Sequence, residues 1–231
     1  MILAFISVAI WLVVNPESYE TVFVQVGNDG EDYSAIAVTE GDTNARLAIE
    51  VLEELEVKGR APKTGYQREE FYDNWPTVNG CNLRQRIIKR EFGETAGLNG
   101  CNVVSGEYDE PYTGEHLVYA NNDEIAKGIQ IDHVVALSDA WQKGAQYMSK
   151  ELRYSIATDP LNLLAVDAVA NSKKSDGDAA TWLPSNKRFR CQYVARQISV
   201  KYKYQLWITE AEKEAMGKVL ENCPKEPVLG V

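Results

Sequence analysis

The chain has 231 residues, 45% of them apolar and 25% charged, which suits one globular core, or one domain plus an appendage. It contains neither a low-complexity tract nor a repeat at solenoid periods, which excludes a disordered or solenoidal protein. A formal net charge of −10 argues on its face against a nucleic-acid partner. Residues 1–56, however, hold eleven acids and a single base, Arg46, and so carry all of that charge. The remainder balances at 23 bases and 23 acids. Within it, 171–203 has a net charge of +6 from Lys173, Lys174, Lys187, Arg188, Arg190, Arg196, Lys201 and Lys203 against Asp176 and Asp178. A second run, Lys58, Arg60, Lys63 and Arg68, contains no acid. Basic patches able to hold phosphates are therefore available, with solvated helix faces as the plain alternative.

Residues 1–14, MILAFISVAIWLVV, form an apolar run shorter than the roughly 20 residues of a comfortable bilayer span. The run reads as a signal-like or anchoring segment, although no Lys or Arg precedes it and no clear small-x-small site follows. A cleaved signal, a short membrane tether and a misplaced start all stay open. In residues 15–42, ETVFVQV and YSAIAVTE flank GNDGED and predict an acidic β-hairpin. The main domain is then 43–231. Its first helix runs from a cap at Thr43 or Asn44 to about Glu56, with Leu47, Val51, Leu52 and Leu55 as its apolar stripe. A basic loop, VKGRAPKTGYQREEF, precedes a short helix after Cys81 with Leu83, Ile87 and Ile88 inward and Arg84, Arg86, Lys89 and Arg90 outward. NVVSGEY and HLVYA read as strands. IQIDHVVAL reads as a strand, SDAWQKGAQYMSKELRYSIATDP as one or two helices, NLLAVD as a second strand and AVANSKKSDGDA as a helix. Two helices, over 186–204 and 209–222, close a chain of the α+β class.

Four cysteines allow three pairings, and no CxxC pair suggests a zinc site. Cys81–Cys101 and Cys191–Cys223 each lie within one local segment and are the expected disulfides. They imply an oxidising compartment, so a secreted protein or one on the outer face of the cell envelope.

The chemistry centres on Asp132-His133, in a chain with only one other histidine, His116. A carboxylate suits a hard cation, and a neutral imidazole can take a proton from water near pH 7. Phosphodiester hydrolysis needs both services. Neighbours on a regular strand point to opposite faces, so cooperation requires the strand to end or distort at His133. By itself the pair is more often a satisfied histidine beside a strand-end aspartate. Downstream, Asn162 opens the second strand and Asn171 lies one turn into the next helix, followed by Lys173 and Lys174, which can meet phosphates. Asp176 and Asp178 read as caps or lysine partners, His116 as structural, and Trp141, Trp182 and Trp207 as core.

DHVVALSDAWQKGA, then R-x-x-x-A-x-DPLNLLAV, then N-x-x-K-x-DGDAATWLP together resemble the HNH nuclease superfamily. More narrowly they resemble its secreted bacterial domain-of-unknown-function branch. VKGRAPKTGY, the W-x5-C-x-x-R run from Trp75 to Arg84, PYTG and RCQYVARQI-x-VK extend the likeness over about 43–223. The resemblance implies a ββα-metal core with a helical insertion between the two strands, flanked by further helices and a small β-hairpin. It implies Asp132 as metal-binding acid, His133 as general base, Asn162 as the residue orienting that base, and Asn171 as second metal ligand. With no second histidine ligand, one divalent cation is implied: Mg²⁺ first, Mn²⁺ or Ca²⁺ as alternatives, Zn²⁺ disfavoured.

The expected function is a secreted, monomeric, metal-dependent endonuclease of low sequence specificity, acting on DNA ahead of RNA. Arg84, Lys173 and Lys174 would hold the nucleic-acid backbone. The rival from another class is a disulfide-stabilised extracellular binding protein on a nuclease-derived fold, docking a protein through its acidic N-terminal residues.

Overall fold

The computed structural model describes residues 46–230. The apolar run 1–14, the acidic hairpin 15–42 and the cap residues Thr43 and Asn44 lie outside the described residues. In chain order the elements are α1 (Ala48–Glu54), β1 (Thr77–Val78), β2 (Cys81–Asn82), α2 (Leu83–Phe92), β3 (Gly97–Asn99), β4 (Asn102–Asp109), β5 (His116–Tyr119) and α3 (Asn122–Gly128). There follow β6 (Ile129–His133), α4 (Leu137–Gln142), α5 (Lys150–Thr158), β7 (Leu163–Asp167), α6 (Ala168–Lys174), α7 (Arg190–Lys203) and α8 (Glu210–Leu220). This is an α+β chain, with its strands in three small antiparallel sheets: β1-β2, β3-β4-β5 and β6-β7. No helix among the described residues is long and apolar enough to cross a membrane.

Local chemistry explains the boundaries. The β1–β2 turn places Asn79 and Gly80 at φ 50° and 78°, the paired positive φ of a tight hairpin that Asn-Gly favours. Asn82 caps α2 by accepting from Arg84 N, and Thr209 caps α8 by accepting from Glu212 N. The helix expected over AVANSKKSDGDA stops at Lys174, because Ser175 turns into the left-handed region at φ 53°. The strand expected over IQIDHVVAL is only five residues long: Val134 N still bonds Asn162 O in register, but Asn162 N turns back to Asp159 O and Val135 N is taken by the Asn162 side chain, so the ladder stops there. At Gly106, with φ 154°, an added Cβ would lie 2.2 Å from Phe92 Cδ2, so β4 and α2 approach at a distance only glycine permits.

The β6–β7 pair is buried on both faces, which is why LLAV reads as a continuous apolar run. Its register is regular, from Ile129↔Asp167 to His133↔Leu163. One face packs Leu164 and Val166 into a core with α1, α7 and α8. The other packs Ile129, Ile131, Leu163 and Ala165 against Leu83, Ile87 and Ile88 of α2. The helical excursion α4–α5 forms a third cluster around Trp141, Ile156 and Leu206. Both expected disulfides are present, Cys81–Cys101 and Cys191–Cys223, with Cα separations of 5.4 and 6.3 Å. The first ties the β1–β2 hairpin to the β3–β4 turn, and the second ties the start of α7 to the segment after α8.

Candidate active site

Asp132 and His133 are adjacent on β6 and point to opposite faces, as regular alternation dictates. Asp132 lies on the Leu164 face, only 5% exposed. Its Oδ1 accepts from Lys174 Nζ at 2.9 Å, and its Oδ2 accepts a short hydrogen bond from the Tyr112 hydroxyl. Lys174 Nζ also donates to His133 O at 2.9 Å. Burial pushes the Asp132 carboxyl upward, opposed by Lys174 and the Tyr112 hydroxyl. Tyr112 is fully buried and is pushed well above the ordinary phenol range by that burial and by Asp132.

His133 occupies the other face. Its ring stacks on Trp75 at 5.8 Å and 7° between planes, and meets Tyr72 at 5.9 Å. Nε2 lies 2.9 Å from Ala157 O near the end of α5. A carbonyl only accepts, so the ring proton sits on Nε2 and Nδ1 carries the lone pair. Burial holds the imidazole down at about 3, despite the Ala157 contact; Arg68 and Lys174 lower it further. The ring is thus neutral at ordinary pH.

Asn162, with no exposed surface, is the last residue before β7 and braces this arrangement. Its Oδ1 accepts from Val135 N at 2.8 Å, and its Nδ2 donates to Val135 O and Ile156 O at 3.3 and 3.1 Å. It therefore joins the turn that leaves His133 to the helix end whose carbonyl holds the His133 ring. Asn171 and Lys174, three apart on α6, share the face that covers β6. Asn171 Nδ2 donates to Gln130 Oε1 at 2.8 Å, while Lys174 takes Asp132.

Several residues expected to present free charge are buried or paired instead. Lys174, expected to meet phosphate, is 2% exposed and committed to Asp132. Arg84, expected as a phosphate clamp, donates to Ile129 O at 3.0 Å, and burial lowers its guanidinium. Arg90, expected outward, donates to Pro160 O and Leu163 O, bonding backbone carbonyls beside β7. Lys201 is fully buried, and Lys203 pairs with Asp159. The +6 segment therefore presents fewer free cations than its composition suggests, Lys173, Lys187 and Arg188 among them.

Two groups of residues were not anticipated. Tyr72, Trp75 and Tyr112 contact the central pair, and only the aromatic residues of PYTG and of the W-x5-C run hint at this. The second group is a buried charge network. Lys143 Nζ meets Asp139, Asp178 and Glu212 at 2.7, 2.8 and 2.6 Å, Lys201 meets Asp139 and Glu212, and Arg60 meets Asp139 and Asp178. Three cations thus balance three carboxylates. The i,i+4 spacing of Asp139 and Lys143 at the end of α4 is one sequence signal for it, and the reading of Asp178 as a lysine partner is another. Asp176 pairs with Lys63 at 2.9 Å, and exposed His116 pairs with Asp109 at 2.8 Å. A cleft of about 510 Å³ beside the network is lined by Arg60, Lys63, Lys173, Lys174 and Trp182, so both basic runs of the sequence meet there.

The profile of the family described as GmrSD restriction endonucleases, C-terminal domain, matches residues 84–219, a span that includes β6, β7, α6 and Asp132, His133, Asn162 and Asn171. An uncharacterized secreted protein of Arthroderma benhamiae is 35% identical over 183 residues, covering 78% of this chain and 86% of that protein. No solved structure matches the chain. On the profile match and the extent of that relative, the chain belongs to the family of GmrSD restriction endonuclease C-terminal domains, an HNH-type nuclease family.

Proposed function

We propose that the chain is a secreted endonuclease that hydrolyses phosphodiester bonds of nucleic acid, DNA ahead of RNA, with low sequence specificity. The observation that carries this reading is a buried His133 whose Nε2 bonds Ala157 O and whose loop is braced by Asn162, within the family-matched span. The two disulfides and the secreted relative support an extracellular location. The cleft where the two basic runs meet offers a polyanion Lys173; Arg60, Lys63 and Lys174 there are already paired with acids, and Asp176 shares the lining.

In this reading His133 Nδ1 takes the proton of the attacking water. At about 3 the imidazole is a weak base in the free chain. A phosphodiester anion arriving beside it favours the protonated ring and raises that value, so the base strengthens when substrate is in place. Asn162 is a positioning residue, acting on His133 through Val135 and the end of α5.

HNH-like nucleases generally use a divalent metal. The ligands implied for it, Asp132 and Asn171, do not fit one in this arrangement. Both Asp132 oxygens already accept hydrogen bonds, one of them from an ammonium, and Asn171 is turned to Gln130. Asp132, Tyr112 and Lys174 are all buried, whereas Mg²⁺ keeps much of its water. Among the described residues, the one grouping of acid, thiol and imidazole atoms close enough to share an ion is Cys191, Cys223 and Glu226, and its two sulfurs are bonded to each other. No step is therefore assigned to Mg²⁺, Mn²⁺, Ca²⁺ or Zn²⁺. The same occupied carboxylate favours a second reading, a binding protein on a nuclease-derived fold without catalysis.

Digestion of plasmid DNA and of RNA by the oxidised protein, across a metal panel and in chelator, separates the two. The nuclease reading expects cleavage that falls by about 10²–10⁴ in His133→Asn, with an unchanged circular dichroism spectrum. If neither substrate is cut under any condition, the binding reading replaces it.

A further inference from the structure

We propose that Lys174 is the resident cation of the Asp132 pocket and plugs that pocket against divalent ions in the free chain. Its ammonium sits 2.9 Å from both Asp132 Oδ1 and the carbonyl of His133, and its side chain is fully buried. Tyr112 covers the second carboxylate oxygen. One positive and one negative charge thus cancel in a site closed to water. A divalent ion added to that balanced pair would meet an ammonium within contact distance of its only carboxylate ligand.

The position of Lys174 gives the plug somewhere to go. The residue lines the cleft of about 510 Å³ together with Arg60, Lys63, Lys173 and Asp176, while its ammonium reaches inward to Asp132. Its backbone is pinned at the end of α6, with Ser175 N bonded to Asn171 O and Gly177 N to Lys174 O, both at 2.9 Å. Motion is therefore confined to the four-carbon stem. A phosphodiester in the cleft would offer the ammonium a second anion and draw it off the carboxylate. Asp132 would then be uncovered only when substrate is present.

The inference concerns the centre of the nuclease proposed above, but its test reads Mn²⁺ binding without substrate, so failure of the plug and failure of cleavage are told apart. With two histidines in the chain, the ring signals of His133 and exposed His116 separate readily by NMR. His116→Asn assigns them. Mn²⁺ broadens resonances close to its binding site, and the His133 ring belongs to the residue next to Asp132. In the wild type, substoichiometric Mn²⁺ leaves the His133 signals sharp. In Lys174→Met the same Mn²⁺ broadens them, with affinity raised about tenfold or more, and Asp132→Asn in that background restores the sharp lines. Selective broadening of His133 in the wild type overturns the proposal. So does a folded Lys174→Met that gains no Asp132-dependent binding. Broadening in the wild type overturns the plug even if the variant does not fold.

Discussion

Asn162→Ala is the perturbation that reports most directly on how the centre is built. The side chain is completely buried and makes three hydrogen bonds, at 2.8, 3.3 and 3.1 Å, to Val135 N, Val135 O and Ile156 O. Truncation strands the Val135 N–H, which at about 1–3 kcal/mol for an orphaned buried group is the largest single loss. The two carbonyls lose weaker bonds, each worth about 0.5–1.5 kcal/mol. The expected total is about 2–6 kcal/mol, against the roughly 5–15 kcal/mol that holds a typical domain together. Differential scanning calorimetry should show the midpoint falling by about 5–20 °C for a domain of this size. The His133 ring resonances should shift as well, because the brace spans the turn after His133 and the helix end that holds its Nε2. Asn162→Asp retains the acceptor for Val135 N but places a carboxylate against two carbonyls, so it should lose nearly as much. A midpoint within about 2 °C of wild type, with unmoved His133 signals, would refute the bracing role.

Glu212→Gln removes the fully buried carboxylate shared by Lys143 and Lys201 and leaves three cations facing two anions, so urea unfolding should lose about 3–5 kcal/mol. His133 has a lower pKa folded, at about 3, than unfolded, so the unfolded chain binds the extra proton in between. Stability is therefore full above about pH 6.5 and falls by up to about 1.4 kcal/mol per pH unit as pH drops towards 3. Urea titrations at pH 7.5 and 5 should show a fall that His133→Asn lacks; equal falls in both proteins would reject the assignment. Opening the Cys191–Cys223 bridge, which closes a 32-residue separation, should cost about 3–4 kcal/mol in the chain-entropy view, read from unfolding of a double Ser variant. Gly106→Ala drives a methyl into the Phe92 ring, and a variant as stable as wild type would show that β4 and α2 are farther apart than the structure places them.

Much of the architecture was legible because it depends on local chemistry. Apolar periodicity marked most of the elements in their order, and cysteines within one segment paired with each other. The order strand, excursion, strand and helix was legible around Asp132-His133, Asn162 and Asn171, although Asn171 turns to Gln130 rather than to Asp132. Boundaries failed where a bond outside the ladder ended an element, as at Val135 N, which the Asn162 side chain takes. The start of α1 differed too: Leu47 stands at its N-cap, with Glu50 bonding back to Leu47 N at 3.3 Å.

The destination of each charge is what the sequence left undecided. A lysine reads the same whether it faces water or a buried acid. Lys173 and Lys174 are neighbours, and the turn of α6 sends one to solvent and the other to Asp132. Arg60, Lys143, Lys201, Asp139, Asp178 and Glu212 are spread over 153 positions, and only packing converts them from surface charge into a closed network. Sequence by itself determined the family, the α+β class and the disulfides, because these follow from motif and local spacing. Tertiary structure alone decided that Asp132 and His133 face apart and that an internal ammonium occupies the carboxylate, because burial makes an unpaired charge so costly that the nearest partner must take it.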